Sequence, residues 1–400
     1  MLERVAITGI GISCGNGNTI EEFSTSLKNQ VSSIGPVKAF DASKYRVNLG
    51  SNVNLDKIST EFRNAPIPRT LKILLHAAHD ALNSASLAGQ YLQERKGVYL
   101  AGPACSVFES ERFYTDFLTK GLDKTSLRDL CYSSWDVGMN VLCDHFGLFG
   151  PRNTILTACS SAGVAIGMGF DAIRLGDADV MVVGGTDGFS ELTYSGFHAL
   201  NSVSDVPCRP FDADRKGLSF GEGAGILVLE NFNTAQKRGA RILAEIVGYG
   251  AIGEGYNLTA PNKSGIGYIK TMEKAIQQAQ IHSDQIGYVN AHGTATPVND
   301  VVEAQAIAKV FKDRLVPVNS IKSLVGHCMG AAGAVEAVNC VVSLMEQFIP
   351  GTKNLQKLDP EININAVKET QEARFDYVLS NSAGFGGNHV SVLFKKGEVL

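Results

Sequence analysis

The chain has little net charge, a single tryptophan and no unbroken apolar run of membrane-spanning length. Lys and Arg number 36 against 40 Asp and Glu, for a formal charge of −4 at pH 7. No basic excess is present to draw a polyanion, so nucleic acid drops out of the expected partners, while a small local basic patch can still take an acidic protein. The most apolar stretch of the C-terminal half, Ala331 to Met345, is broken by Glu336 and Asn339. It falls short of the roughly 20 apolar residues that cross a bilayer. Glu3 and Arg4 interrupt the N-terminus, and no secretory apolar segment follows. Cysteine is present but unpatterned: the eight cysteines form no Cys-x-x-Cys pair. That argues against a zinc site and against a disulfide framework. These absences predict a reduced, soluble, cytoplasmic protein with no metal.

What is present is glycine and regular alternation. Forty-two glycines and 44% hydrophobic residues in 400 describe a large core with many tight turns and close helix–sheet contacts. Short Val/Ile-rich runs alternate with longer helical patterns, which predicts an α/β fold. Strands are expected at Val5–Ile12, Val98–Ala101, Thr154–Thr157, Asp179–Gly185, Ile226–Glu230 and Ile242–Gly248. Helices are expected at Arg69–Leu87 and Trp135–Leu148, and Thr19-x-x-Glu22 offers a capping box. The second half repeats the grammar, with helices at Ile266–Gln280, Val301–Phe311 and about Gly330–Gln347, and strands at Ile286–Asn290, Leu315–Asn319, Phe375–Asn381 and Val390–Lys395. Ala6-Ile7-Thr8-Gly9-Ile10-Gly11 has an echo in Glu245-Ile246-Val247-Gly248-Tyr249-Gly250. Two similar halves, 1–250 and 251–400, are therefore expected to pack together without a linker.

Four stretches place reactive side chains where a strand ends in a turn, the usual position of ligand sites in α/β proteins. Cys159 lies in Thr157-Ala158-Cys159-Ser160-Ser161, ahead of a helix of small residues. Unpaired N–H groups at such a helix start favour a thiolate. His292 lies in Asn290-Ala291-His292-Gly293-Thr294-Ala295-Thr296-Pro297. Lys322 and His327 lie in Asn319-Ser320-Ile321-Lys322-Ser323-Leu324-Val325-Gly326-His327, which runs into Gly330–Ala337 with Glu336. Phe385 lies in Asn381-Ser382-Ala383-Gly384-Phe385-Gly386-Gly387-Asn388-His389. Strand, His327 and small-residue helix parallel the strand, Cys159 and helix of the first half.

Together and in this order, the four motifs closely resemble the β-ketoacyl-[acyl carrier protein] synthases, over nearly the whole chain. The resemblance implies the thiolase-like fold, two similar β-α halves in a five-layered α-β-α-β-α sandwich, and a dimer. It implies decarboxylative condensation of malonyl-[acyl carrier protein] with an acyl chain held on Cys159, lengthening a fatty acyl or polyketide chain by two carbons. His292 and His327 would then donate hydrogen bonds to the thioester oxygen, with Lys322 in the charge network and Glu336 as its buried partner. The backbone N–H groups of Cys159 and Phe385 would form the oxyanion hole, Thr294 and Thr296 would bind the phosphopantetheine arm, and Phe385 would gate the cavity. No cofactor is expected beyond the phosphopantetheine that arrives on the carrier protein.

Some positions depart from the family pattern. Asn388-His389 stands where Thr-Asn or a similar pair is usual, and Ala101–Ser106 replaces a glycine-rich stretch that shapes the acyl pocket. Asn201–Arg209 lacks an arginine offered to the carrier protein in related enzymes, which leaves Arg69 and Lys72 as docking charges. These departures keep open a second assignment, the catalytic ketosynthase of a type II polyketide or polyene system. Its dimer would then be a heterodimer with a chain-length-factor-like subunit rather than a homodimer. A non-catalytic partner would lack the nucleophile that Cys159 supplies. Gly9-x-Gly11 with Gly15 has the wrong spacing for a dinucleotide turn. His76 and His79 are expected to pack in their helix, and His145, His198 and His282 have no supporting motif.

Overall fold

A computed structural model describes residues 3–87, 89–102, 107–312 and 314–398. The Pro103–Ser106 part of the atypical stretch, with Cys105, lies outside them. The main strands are β1 (Val5–Cys14), β2 (Lys96–Ala101), β3 (Arg152–Ile155), β4 (Val180–Asp187), β5 (Gly223–Asn231), β6 (Ala244–Gly253), β7 (Ile286–Asn290), β8 (Pro317–Asn319), β9 (Asn365–Ala366), β10 (Tyr377–Gly384) and β11 (Asn388–Lys396). The principal helices are α1 (Arg69–Ala85), α2 (Trp135–Phe146), α3 (Ser161–Arg174), α4 (Glu191–Ala199), α5 (Ile266–Ala279), α6 (Pro297–Val310) and α7 (Ala332–Glu346).

The strands hydrogen-bond in the order β9-β8-β7-β10-β11-β6-β1-β5-β4-β2-β3. Apart from the short edge strand β9, this is the same five-strand order written twice, from each edge inward. The two copies meet where Val5–Ile7 of β1 pair antiparallel with Ala244–Ile246 of β6. Helices α3 and α7 lie between the copies, α1 and α2 cover the outer face of the first, and α5 and α6 cover the outer face of the second. That is the expected α-β-α-β-α layering, with the refinement that the two β layers join in one hydrogen-bonded ribbon.

Burial on both faces explains why the strands read as apolar runs rather than alternating ones. Val180 and Val182 of β4 turn to the outer cluster, while Met181 and Val183 turn to the central one. The Gly-x-Gly echo has the same cause in both halves. A Cβ at Gly9 or Gly11 would land on the Ala81 or Ala77 carbonyl of α1, and one at Gly248 or Gly250 on the Ala275 or Thr271 carbonyl of α5. These glycines are seats for a helix backbone, not a dinucleotide turn.

Some local expectations shift. Thr19 Oγ1 accepts from Glu22 N at 3.2 Å, but Glu22 returns its bond to Asn18 N, not to Thr19 N. α6 begins at Pro297 rather than Val301, because proline's fixed φ suits a first helical position. α4 and the helix Val107–Lys120 have no counterpart among the predicted elements. Met329–Glu346 is long and apolar enough to cross a membrane by length and composition, yet it is buried between the two sheets.

The seat at Gly11 gives a direct test. Gly11→Val should destabilise the protein by about 3 kcal/mol or more, at the upper end of overpacking costs, in chemical denaturation. A loss below about 1 kcal/mol would show that α1 can retreat from the strand.

Candidate active site

Cys159 sits in a turn held under strain. Ala158 adopts a left-handed φ of 52°, a conformation that costs a non-glycine residue about 1–3 kcal/mol. Flanking serines stabilise the turn. Ser160 Oγ donates to Thr157 O at 2.7 Å, while Ser161 Oγ accepts from Thr157 N at 2.8 Å and donates to Ala158 O at 2.6 Å. The α-helix starts at Ser161, after a 3₁₀ turn over Ala158–Ser160, rather than at the cysteine.

That offset and deep burial correct the expectation of a resting thiolate. Burial pushes the Cys159 thiol up to about 12, with Lys322 opposing and Asp187 and Glu336 adding to the rise. A helix terminus contributes about 0.3–1 kcal/mol, less than one pKa unit, so it does not reverse a shift of this size. Burial therefore favours the thiol over the thiolate at rest.

The second half builds a matching corner. Met329, two residues beyond His327, is also left-handed at φ 42°, and Met329–Ala331 forms a 3₁₀ turn before α7. His327 is fixed through its backbone: its N–H donates to Ser219 O at 2.7 Å and its carbonyl accepts from Gly221 N at 2.9 Å. His292 follows β7, and Glu303 of α6 accepts from His292 N at 2.8 Å and Gly293 N at 2.9 Å. The two imidazole centroids are 5.4 Å apart with planes at 84°. Burial lowers both rings well below the ordinary imidazole value, helped at each by Lys322. Both are neutral at neutral pH.

Lys322 is buried behind them. Its Nζ donates to His292 O at 2.6 Å, stands 3.4 Å from His292 Nδ1 and pairs with Glu336. An ammonium next to Nδ1 makes that nitrogen the acceptor, which leaves the His292 proton on Nε2. Glu336 Oε2 also accepts from Ser382 Oγ at 3.4 Å. Burial pushes the Glu336 carboxyl up to about 7, against the pull of Lys322.

Cys159, His292, Thr294, Thr296, His327 and Phe385 all line one cavity of about 370 Å³. Lys322 and Glu336 support it from behind without lining it. Thr294 Oγ1 and Thr296 Oγ1 are 2.9 Å apart. Phe385 stacks on Phe197 of α4 at 5.2 Å and 20°. Its turn needs glycine, since Gly386 and Gly387 have φ of 84° and 76°. A Cβ on Gly384 would stand 3.0 Å from Cys159 N and 2.6 Å from Thr157 O, so the Phe385 turn lies directly against the cysteine turn.

Three buried acids of the site escape sequence inspection. Glu303 also accepts from Asn381 Nδ2 at 3.2 Å, so it joins the His292 turn to β10. Asp300 accepts from Ala295 N at 3.1 Å and Phe211 N at 2.8 Å. Asp187, at the end of β4, accepts from Gly330 N at 2.8 Å and so ties the first half to the start of α7. The available signal was acidic residues three apart, at 300 and 303, on one face of a helix after Thr296-Pro297. Arg69 and Lys72 are not free docking charges. Arg69 is bound to Glu222 and donates to Val53 O at 2.6 Å, while Lys72 donates to Arg63 O at 2.7 Å.

Residues 2–235 match the family described as Beta-ketoacyl synthase, N-terminal domain, and residues 243–356 match Beta-ketoacyl synthase, C-terminal domain. The chain belongs to the beta-ketoacyl synthases. It is 34% identical to the 3-oxoacyl-[acyl-carrier-protein] synthase 2 of Synechocystis sp., over 98% of both chains. Its fold matches the ishigamide ketosynthase/chain length factor structure with a TM-score of 0.93 and 30% identity, over 99% of this chain and 100% of that one. It also matches a ketosynthase structure of a type II polyketide system, bound to the hexaketide and in complex with its acyl-carrier protein. There the TM-score is 0.90 and identity 26%, over 99% and 100% of the two chains. As in this family, the site is that of an acyltransferase.

The thiol state is open to measurement. Iodoacetamide alkylation of Cys159, followed by intact-protein mass, should speed up about tenfold per pH unit between pH 7 and 9, as only the thiolate reacts. A plateau below pH 8 would show that the resting residue is already ionised.

Proposed function

We propose that Cys159 carries the growing acyl chain and that His292 and His327 promote decarboxylation of the malonyl unit. The observation that carries this is the convergence of the thiol and two neutral imidazoles on one cavity, with Lys322 at His292 Nδ1. In the first step the Cys159 S–H gives up its proton, sulfur attacks the acyl thioester carbon, and the carrier thiol leaves after taking a proton. A neutral imidazole is the proton acceptor within the cavity.

In the second step the malonyl C–CO2 bond breaks and leaves an enolate on the thioester. Nε2–H of His292 and a proton on His327 donate to its oxygen, where one oriented donor is worth about 2.7–4 kcal/mol in a dry site. The enolate carbon attacks the acyl carbonyl, a C–C bond forms, the Cys159 C–S bond breaks, and the departing thiolate takes up a proton from solvent to restore the thiol. Backbone N–H groups of Cys159 and Phe385 receive the transient oxyanion, a role supported by the close approach of Gly384 to Cys159 N. Thr294 and Thr296 hold the phosphopantetheine arm, which comes with the carrier protein and needs no cofactor resident in this chain. Phe385, stacked on Phe197, gates the cavity.

The acyl carrier protein is the proposed partner, and a dimer the proposed assembly in the cytoplasm. The match to the ishigamide ketosynthase/chain length factor favours a second version, in which the other subunit is a chain-length-factor-like homologue. Purification of the native protein distinguishes them: one polypeptide species fits a homodimer, and a co-purifying homologue without the cysteine fits the heterodimer. The two halves proposed at 1–250 and 251–400 divide best just before β6, since β6 pairs along its length with β11.

Cys159→Ala should abolish the acyl-enzyme; normal acylation by intact mass would remove it as nucleophile. His327→Ala should cut CO2 release by roughly a hundredfold or more, the loss typical of one oxyanion donor, with acyl loading less affected. In the unaltered enzyme, the ring C–H signals of His292 and His327 followed by NMR should show no titration inflection near pH 6.5, because both rings stay neutral below their ordinary value. An inflection there would mean that a ring titrates normally.

A further inference from the structure

A second polar cluster lies one layer behind Lys322 and Glu336, and no step of the reaction uses it. Tyr288 and Asn290 of β7, Asn319 of β8 and Asn339 of α7 are all 0% exposed. Three of them meet at the Tyr288 hydroxyl, which donates to Asn319 Oδ1 at 2.5 Å and accepts from Asn339 Nδ2 at 3.2 Å. Asn339 Nδ2 also donates to Asn290 Oδ1 at 3.1 Å, and Asn290 Nδ2 donates on to Ser380 Oγ of β10 at 3.2 Å. Asn290 and Asn319 are register partners in parallel strands, and Ala291 N donates to Asn319 O at 2.8 Å.

Each of these elements leads straight to one group of the site. β7 ends at Asn290, two residues before His292, and β8 ends at Asn319, three residues before Lys322. On α7, Asn339 stands three residues after Glu336, on the same side of the helix. Apolar contact alone is non-directional and would let α7 slide or turn slightly over the two strands. Hydrogen bonds fix both distance and angle. Their net contribution to stability is small once the lost bonds to water are counted. The value of a tyrosine hydroxyl bonded from two sides at this place is therefore geometric.

We propose that Tyr288 and Asn339 are positioning residues: their hydrogen bonds clamp β7, β8 and α7 together, and so hold the Lys322–Glu336 pair at His292 Nδ1. The proposal rests on the reading of His292 as a donor to the enolate. Its main readout needs no turnover: the two ring-nitrogen NMR signals of His292 in the full-length protein at neutral pH. In the parent they should be well separated, because Nδ1 is a bare acceptor and Nε2 carries the proton. In Tyr288→Phe, which removes one hydroxyl, they should converge as both tautomers become populated. CO2 release from malonyl-[acyl carrier protein] should fall by about ten- to a hundredfold, with Cys159 acylation within about twofold of the parent. Asn339→Leu should do the same and serves if Tyr288→Phe does not fold. The double variant should be no worse than the poorer single one, as expected of residues that act as a unit. Ser343→Ala, one turn further along α7, removes a buried hydroxyl with no hydrogen-bond partner among the described residues and should match the parent in both measurements. The clamp is overturned by signals that coincide in the parent, by signals that stay separated in both single variants, by losses that multiply in the double variant, or by equal convergence in Ser343→Ala. Normal acylation of Cys159→Ala would instead refute the ketosynthase reading, while the His292 signals would still decide the clamp.

Discussion

The close crossing of α3 and α7 is the constraint on which the site depends. A Cβ on Gly333 would stand 2.9 Å from Gly163 N and 3.0 Å from Ser382 Oγ. Only small residues permit helix backbones to meet so closely, and Ala162 and Ala334 extend the contact. Because the two helices cross near their N-termini, the turns that precede them are forced together. One turn carries Cys159 and the other follows His327. A larger side chain at the crossing would part the two halves and separate nucleophile from imidazole without altering either. Asp187 reinforces the same junction, since its carboxylate belongs to the first half and the Gly330 N–H that it binds belongs to the second.

Convergence has an electrostatic consequence. Bringing both turns to the centre of a five-layered molecule removes water from every ionisable group there. Burial raises the Cys159 thiol and lowers both imidazoles, so the three groups at the cavity are uncharged at rest. Charge is kept one layer back, in the Lys322–Glu336 pair. A buried pair of this kind is weak evidence of stability, because desolvation offsets much of its attraction. Its position suggests a different value. An ammonium fixed beside His292 Nδ1 sets the tautomer of a ring that lines the cavity, while Lys322 itself stays behind the cavity wall.

Much of this was legible in the chain. The reactive residues lie at strand ends in four motifs, and apolar periodicity located most strands and helices within a few residues. The Gly9-x-Gly11 and Gly248-x-Gly250 echo reported the duplication, for a reason that only packing makes visible: each glycine pair seats a helix. Glu303, Asp300 and Asp187 were not read from the chain: the spacing of 300 and 303 was the one signal, while the bonds of Asp300 to Phe211 N and of Asp187 to Gly330 N reach turns far away in sequence. The effect of burial on the Cys159 thiol escaped the sequence reading for a related reason. A helix start can be seen locally, but depth of burial is a property of all five layers.

The same distinction explains why His389 matters more than its motif suggests. Read along the chain, Asn388-His389 is an irregular ending to a glycine turn. Read in space, it faces Glu254 from a loop more than 100 residues earlier, across a gap that Gly267 keeps open. A polar group introduced into an apolar wall would cost stability unless another group met it. Here the carboxylate, the glycine and the imidazole occur together, at the junction of two adjoining loops that line the cavity. Three residues on three separate elements meet at one contact, beside the cavity that Cys159 lines.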